Sequence, residues 1–357
     1  MRKLFVFLGV VFMTIGSAVS AQEVDSIAPL QKSSWGDAKK SEIVDYIPDI
    51  SLDMKGGYSH EFTEGVGAFF GDGLYLDING YISPNFSYSL NHRIASTYYE
   101  DNSGFNGTNW LTLTYEVGDF TFTAGKDAIF VGSFEYDAYD LDSYYDMNSM
   151  FYNMFDCWQW GVSAAWYPAE SQSLSLQIAN SPFAYGEPNL YAYALAWRGE
   201  WDWYESYWTA NLWQYDAKQY APALNFGNRF YFGDFTIDLE YMTRAGGINQ
   251  LFKTKDFTTL LAPSYQPGES LRIFGKFAWE HSEEDSPYEL AYEEWLGRSR
   301  LVYGAGIEYF PLKEDKDIRL HATWSTSCSG FHTVNVGLTW KLDLTTAGKH
   351  LLSSLSR

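Results

Sequence analysis

Between Leu74 and Leu90 the chain alternates. Even positions read Leu74, Leu76, Ile78, Gly80, Ile82, Pro84, Phe86, Tyr88 and Leu90, while odd positions carry Tyr75, Asp77, Asn79, Tyr81, Ser83, Asn85, Ser87 and Ser89. Successive side chains of a β-strand point to opposite faces, so a period of two means two faces. Here one face is nearly pure hydrocarbon and the other is mostly polar, as in a wall between two different solvents. The run reads as one strand over 74–90.

The pattern recurs over 171–180, 235–244, 271–281, 317–325 and 333–343, with weaker copies near 109–117, 120–126, 158–167, 189–198, 203–215, 221–232 and 301–310. Short connections such as Gly118-Asp119 and Gly233-Asp234 largely alternate with long ones over 92–108, 127–156, 245–269 and 282–299. Outer-membrane barrels have short periplasmic turns and longer extracellular loops, and an even strand number. Counting directions from both termini requires a further downward strand between Ala245 and Gly268. The best candidate is Leu251–Leu261, with Phe257 and Leu260 as its apolar surface. The expected fold is all-β: a transmembrane antiparallel up-and-down barrel of about 14 strands, or 16 if Ser51–Phe70 adds a pair.

Composition narrows the class. The 357 residues are 19% aromatic, yet carry a formal net charge of −21, and the mean hydropathy is −0.27. A disordered acidic chain would lack the aromatics. A helical membrane protein would show long apolar runs, and no stretch after the N-terminus approaches eighteen apolar residues. An acidic surface repels phosphate, so nucleic acid is not an expected partner. Trp158, Trp160, Trp166, Trp197, Trp201 and Trp203 crowd strand ends beside turns. They are expected to form an aromatic girdle against outer-membrane lipid, because Trp and Tyr settle at membrane–water interfaces.

The N-terminus reads as a cleaved signal peptide over 1–21. Arg2 and Lys3 precede the apolar run Leu4–Met13 and the small-residue site Val19-Ser20-Ala21. The expected organisation then continues with an N-terminal periplasmic segment over 22–72, the barrel over 73–344 and a tail over 345–357.

A barrel of this size should hold water unless a loop fills it. The segment 127–156 is the candidate constriction loop. It carries Glu135, Asp137, Asp140, Asp142 and Asp146, and clustered carboxylates favour cations. A solvated surface loop is the bland alternative; a calcium loop lacks its Gly turn and closing Glu. Arg229, Arg244, Arg272, Lys276 and Arg319 fall in phase with the lumen. They would serve an anion path or structural salt bridges with lumen-phase acids such as Asp77, Glu116, Asp238, Glu240, Glu280 and Glu308. No catalytic motif, metal set or cofactor site is expected, and the six histidines look scattered. Cys157 and Cys328 fall near the outer rim, where a disulfide needs Cα atoms within about 7 Å.

Several stretches are similar to Bacteroides-type outer-membrane porins, relatives of the phosphate-selective porins. They are Gly73–Gly80, Tyr115–Lys126, Glu135–Asp142, Asn180–Phe183 and Val334–Asp343. The resemblance implies a passive channel for small hydrophilic solutes or ions and allows a homotrimer. It departs from the phosphate-selective pattern in having few in-phase basic residues and a strongly acidic loop, so phosphate preference does not carry over. The tail after Trp340 is a second departure. Two other readings stay open: a plugged barrel with a binding or structural role, and a soluble exported all-β carbohydrate-binding protein.

Overall fold

The computed structural model describes residues 47–94, 107–138, 140–149, 151–152, 157–183, 189–283, 298–313, 316–327 and 332–347. The signal-peptide reading, Cys328 and the tail beyond residue 347 lie outside the described residues.

Sixteen strands close into one antiparallel barrel. In chain order they are β1 (Asp49–Glu61), β2 (Val66–Ser83), β3 (Phe86–Arg93), β4 (Thr108–Val117), β5 (Phe120–Ala128), β6 (Trp158–Ala169), β7 (Gln172–Asn180) and β8 (Tyr191–Trp201). There follow β9 (Tyr204–Asp216), β10 (Gln219–Phe232), β11 (Phe235–Arg244), β12 (Phe257–Tyr265), β13 (Leu271–His281), β14 (Ser299–Tyr309), β15 (Ile318–Ser327) and β16 (His332–Asp343). Each strand pairs with its chain neighbours, and β1 closes the wall on β16 through Ser51↔Asp343 to Glu61↔Thr333. Closure leaves no unpaired sheet edge, which a lipid environment requires because it offers no partner for backbone N–H and C=O groups.

The count is sixteen, the alternative, rather than fourteen. The run 74–90 is a hairpin and not one strand: β2 and β3 reverse at Pro84-Asn85, with Ile78↔Leu90 and Gly80↔Tyr88 paired. Partners around this reversal share parity, so the hydrophobic alternation passes through it unbroken. A membrane strand needs only about 9–11 residues, which the run exceeds. The barrel begins at Asp49 instead of residue 73, since β1 and the first part of β2 draw residues 49–72 into the wall. At the other end, Thr345 Oγ1 accepts from the Ile50 N–H at 2.8 Å and donates to the Pro48 carbonyl at 2.9 Å.

The extra downward strand exists, but it spans Phe257–Tyr265 rather than Leu251–Leu261. Its Leu260 is buried on the inner side, and Leu261 is the exposed one. Gly118 and Gly233 take φ values of 58° and 60°. Each is the first of two residues closing a hairpin, between Val117↔Phe120 and between Phe232↔Phe235. Glycine reaches this left-handed region without a Cβ penalty, which suits a tight reversal.

Candidate pore-lining site

Strand phase sends polar side chains inward, and the long segment between β5 and β6 meets them there. Its residues Ile129, Phe130, Val131, Phe134, Leu141, Tyr144, Met147 and Phe151 are all buried. Ile129, Val131 and Phe151 pack with Ala179, Ala192, Trp213, Ala221, Ala223 and Met242. Phe130 and Phe134 pack with Ala194, Ala196 and Tyr207. The inner face of β7–β11 is therefore lined by alanines, with Trp213, Tyr207 and Met242 among them, that pack on loop side chains and exclude water from that side. Gly132 makes the approach possible. Its φ is 74°, a Cβ there would meet Thr209, and a Cβ on Gly227 would lie 2.8 Å from the Gly132 carbonyl.

Polar tethers fix the loop. The Phe134 and Glu135 N–H groups donate to Glu240 Oε1 at 2.9 and 3.0 Å. Asn225 and the Thr209 hydroxyl both donate to the Val131 carbonyl at 2.7 Å. The Phe130 N–H reaches Gln177 at 2.8 Å, and the Phe151 N–H reaches Glu280 at 3.0 Å. Tyr144 donates to Glu308 at 2.6 Å, and the Lys55 ammonium donates to the Ser143 carbonyl. These side chains stand on β1, β7, β9–β11, β13 and β14, so the loop is held from several sides of the wall. Buried N–H groups without acceptors would cost about 1–3 kcal/mol each, which is why wall glutamates are placed under them.

The acidic loop and the basic wall, read separately in the sequence, meet each other. Asp137 pairs with Arg198 at 2.8 Å, Glu135 with Lys276 at 2.7 Å and Asp142 with Arg319 at 2.6 Å. Arg319 also lies 3.5 Å from Glu308, which Arg272 contacts at 3.1 Å. Arg229 pairs with Asp238 at 2.6 Å and its guanidinium lies 4.2 Å over Phe134. Arg244 is 0% exposed, pairs with Asp256 at 2.9 Å and stacks on Phe151. It is enclosed rather than open to the lumen. Asp146 is exposed; Asp140 opens a single-turn 3-10 segment (Asp140–Asp142) and its side chain lies outside the described residues.

Burial works to raise the Asp142 carboxyl, but the Arg319 and Lys341 charges outweigh it and hold it below the usual carboxylate range. Burial, with the Glu308 charge beside it, pushes the Tyr144 phenol up, so it stays a neutral donor. Among the described residues, no group of three or more His, Cys, Asp or Glu is placed to hold a metal ion.

Sequence reasoning missed Arg198, whose place in β8 lies in a weak alternation. The tryptophans sit at both ends of the outer wall. Trp160, Trp166 and Trp203 are exposed, and Trp158, Trp197 and Trp201 are half-buried. Trp197 packs on Trp201 and Trp208 at 6.1 and 4.9 Å. The aromatics are not confined to that wall, since Trp213, Phe134 and Phe151 lie in the interior.

Residues 72–202 match the family of phosphate-selective porins O and P. None of the curated proteins matches the chain. Among solved structures, the chain is similar to DcaP, an outer-membrane channel of Acinetobacter baumannii, at 10% identity and a TM-score of 0.62, covering 83% of this chain and 97% of that one. It is similar to a loop-deletion mutant of OmpT, an outer-membrane protein of Vibrio cholerae, at 12% identity and TM-score 0.58, over 84% and 100% of the two chains. A mutant of Rh. blastica porin aligns at 13% identity and TM-score 0.56, over 83% and 100%. The fold is that of the outer-membrane porin class.

Proposed function

We propose that the chain is a passive diffusion channel of the outer membrane, that the loop over 129–157 is its constriction, and that it favours small cations over anions. The observation that carries this reading is the charge of the loop that fills the lumen. Residues 127–156 contain no Lys, Arg or His. Of the wall cations that reach the loop, Arg198, Lys276 and Arg319 each pair with one of its carboxylates, while Lys55 donates to the Ser143 carbonyl. Asp146 is exposed, and Glu240 and Glu280 accept N–H groups of the loop. The loop brings carboxylates and no basic residue of its own to the lumen, and carboxylates lining a pore favour cations. Phosphate preference does not follow from it. Glu135, Asp137, Asp142 and Asp146 are accordingly the constriction acids, with Asp140 beside them in the chain. Arg229, Arg244, Arg272, Lys276 and Arg319 act as struts rather than an anion ladder.

The six tryptophans serve as girdles against lipid. The motifs around Gly73–Gly80 and Tyr115–Lys126 favour a place with the Bacteroides-type porins. A homotrimer is the assembly this reading carries, and native mass spectrometry of the detergent-solubilised barrel tests it. Reversal potential across a bilayer with a potassium chloride gradient tests the selectivity. The expected sign is that of a cation-preferring pore, reduced in D146N. An anion-preferring sign would overturn the proposal.

A further inference from the structure

The inner wall divides into two kinds of surface. Under the loop, the inward side chains Ala192, Ala194, Ala196, Thr209, Asn211 and Ala223 are buried. Beyond it, on β2–β7, register joins a different set into one row. Tyr81 stands opposite Ser87, Ser87 opposite Thr114, Thr114 opposite Thr123, Thr123 opposite Ser163 and Ser163 opposite Gln177. The five hydroxyl residues of the row are half-exposed. Gln177 is buried where the loop leaves the wall, bonded to the Phe130 N–H and the Ala128 carbonyl at 2.8 Å each.

No side chain of this row is charged. The Thr114 and Thr123 hydroxyls lie 3.2 Å apart and share a hydrogen bond. The same chemistry continues towards the long loops with Ser89 and Thr112, which are paired and half-exposed, and towards the short turns with Thr121 and Ser175. Acids stand at the margins: Glu116 opposite Thr121, and Asp127 four residues beyond Thr123. Between Thr123 and Asp127 the wall is bare, because Gly125 and Gly161 face each other across β5 and β6. A Cβ on either would strike the backbone of the next strand. Thr123, Ser163, Asp127 and Gln159 frame the resulting niche, and Asp127 Oδ1 accepts the Ala128 N–H there at 2.8 Å.

Resting on the open-channel reading above, we propose that this hydroxyl strip binds uncharged polyhydroxylated solutes, sugars or sugar alcohols, as they cross the barrel. A hydroxyl both donates and accepts, so a row of them exchanges partners along a polyol whichever way each of its hydroxyls points. An ion gains no full counter-charge from the row. An apolar solute displaces water from the hydroxyls without replacing the hydrogen bonds, which costs free energy. At the niche, a carboxylate with two acceptor oxygens suits a pair of adjacent solute hydroxyls. Cations are left to the acids of the loop, so the two classes of solute use different parts of the lumen.

The test measures uptake into liposomes carrying the full barrel, with D-mannitol and tetraethylene glycol supplied together at equal low concentration and counted by mass spectrometry. The two are close in size, but the second offers mostly ether oxygens, which cannot donate. One net hydrogen bond is worth about fivefold in binding, so the wild type is expected to take up mannitol roughly fivefold faster than the glycol. In T114V/T123V/S163A, which removes three hydroxyls and adds no bulk, that ratio is expected to fall towards one. A potassium chloride current through the same variant shows that the barrel is folded and open. Equal uptake of the two solutes by a conducting wild type overturns the strip and leaves the channel standing. An unchanged ratio in the conducting variant also overturns it. Neither current nor uptake in the wild type would overturn the channel reading itself. Should the triple variant fail to fold, T123V alone is expected to lose about half of the preference, and no loss overturns the proposal.

Discussion

Gly132 decides at the scale of one residue whether the loop can seat. Its positive φ and the Thr209 atoms under it leave no place for a Cβ. G132A is expected to weaken loop seating by about 1–2 kcal/mol, the cost of a left-handed L-residue. Limited proteolysis across 129–157 checks this: cleavage rises in the variant while the barrel strands stay protected. Glu240 is the second single-residue lever. E240A removes the acceptor of two buried N–H groups and is expected to destabilise the loop by roughly 2–4 kcal/mol. E240Q keeps an acceptor oxygen and should lose less. Hydrogen exchange at Phe134 and Glu135 separates the two variants, and equal exchange in all three proteins would remove Glu240 from this role.

The loop is the element on which acid acts. Asp142 titrates below its ordinary range, so its contribution to seating is fully present above the unfolded carboxylate value near 4. That contribution is lost only as pH falls through the lower, folded value. Conductance is therefore expected to stay flat from neutral pH down to about 4 and to change only below it. A change centred near pH 6 would contradict this assignment to Asp142.

The elements themselves were unevenly legible. The lipid-facing phase of β11, β13, β15 and β16 stands in the sequence because each carries an uninterrupted apolar alternate. The β2–β3 hairpin hid because its reversal preserves parity. In β1, the alternation is diluted by Gly56-Gly57 and by His60 at an outward position, so residues 49–61 looked like a periplasmic segment. The loop's partners could not be read at all. Arg319 and Asp142 lie 177 residues apart, and Arg198 and Asp137 lie 61 apart. Nothing local in either stretch says which carboxylate meets which cation.

At the scale of the whole molecule, aromatic content and acidic charge belong to different surfaces, though less cleanly than phase alone suggests. Aromatics cover the outer wall, but Trp213, Phe134 and Phe151 also build a dry interior core against β7–β11. Acids line the lumen, yet the cations paired with them turn several into structural ties. Removing one partner of such a buried pair is destabilising by about 3–5 kcal/mol because the other charge is stranded. R198A, K276A and R319A together should therefore free the loop without opening the wall, whose ladders they do not enter.

Single-channel recording in a planar bilayer compares the wild-type barrel with R198A/K276A/R319A. A steady current is expected through the wild type, and a larger, noisier one through the triple variant as the loop leaves its seat. No wild-type current at any salt or voltage, or an identical current through a folded triple variant, would contradict an open channel narrowed by a tethered loop.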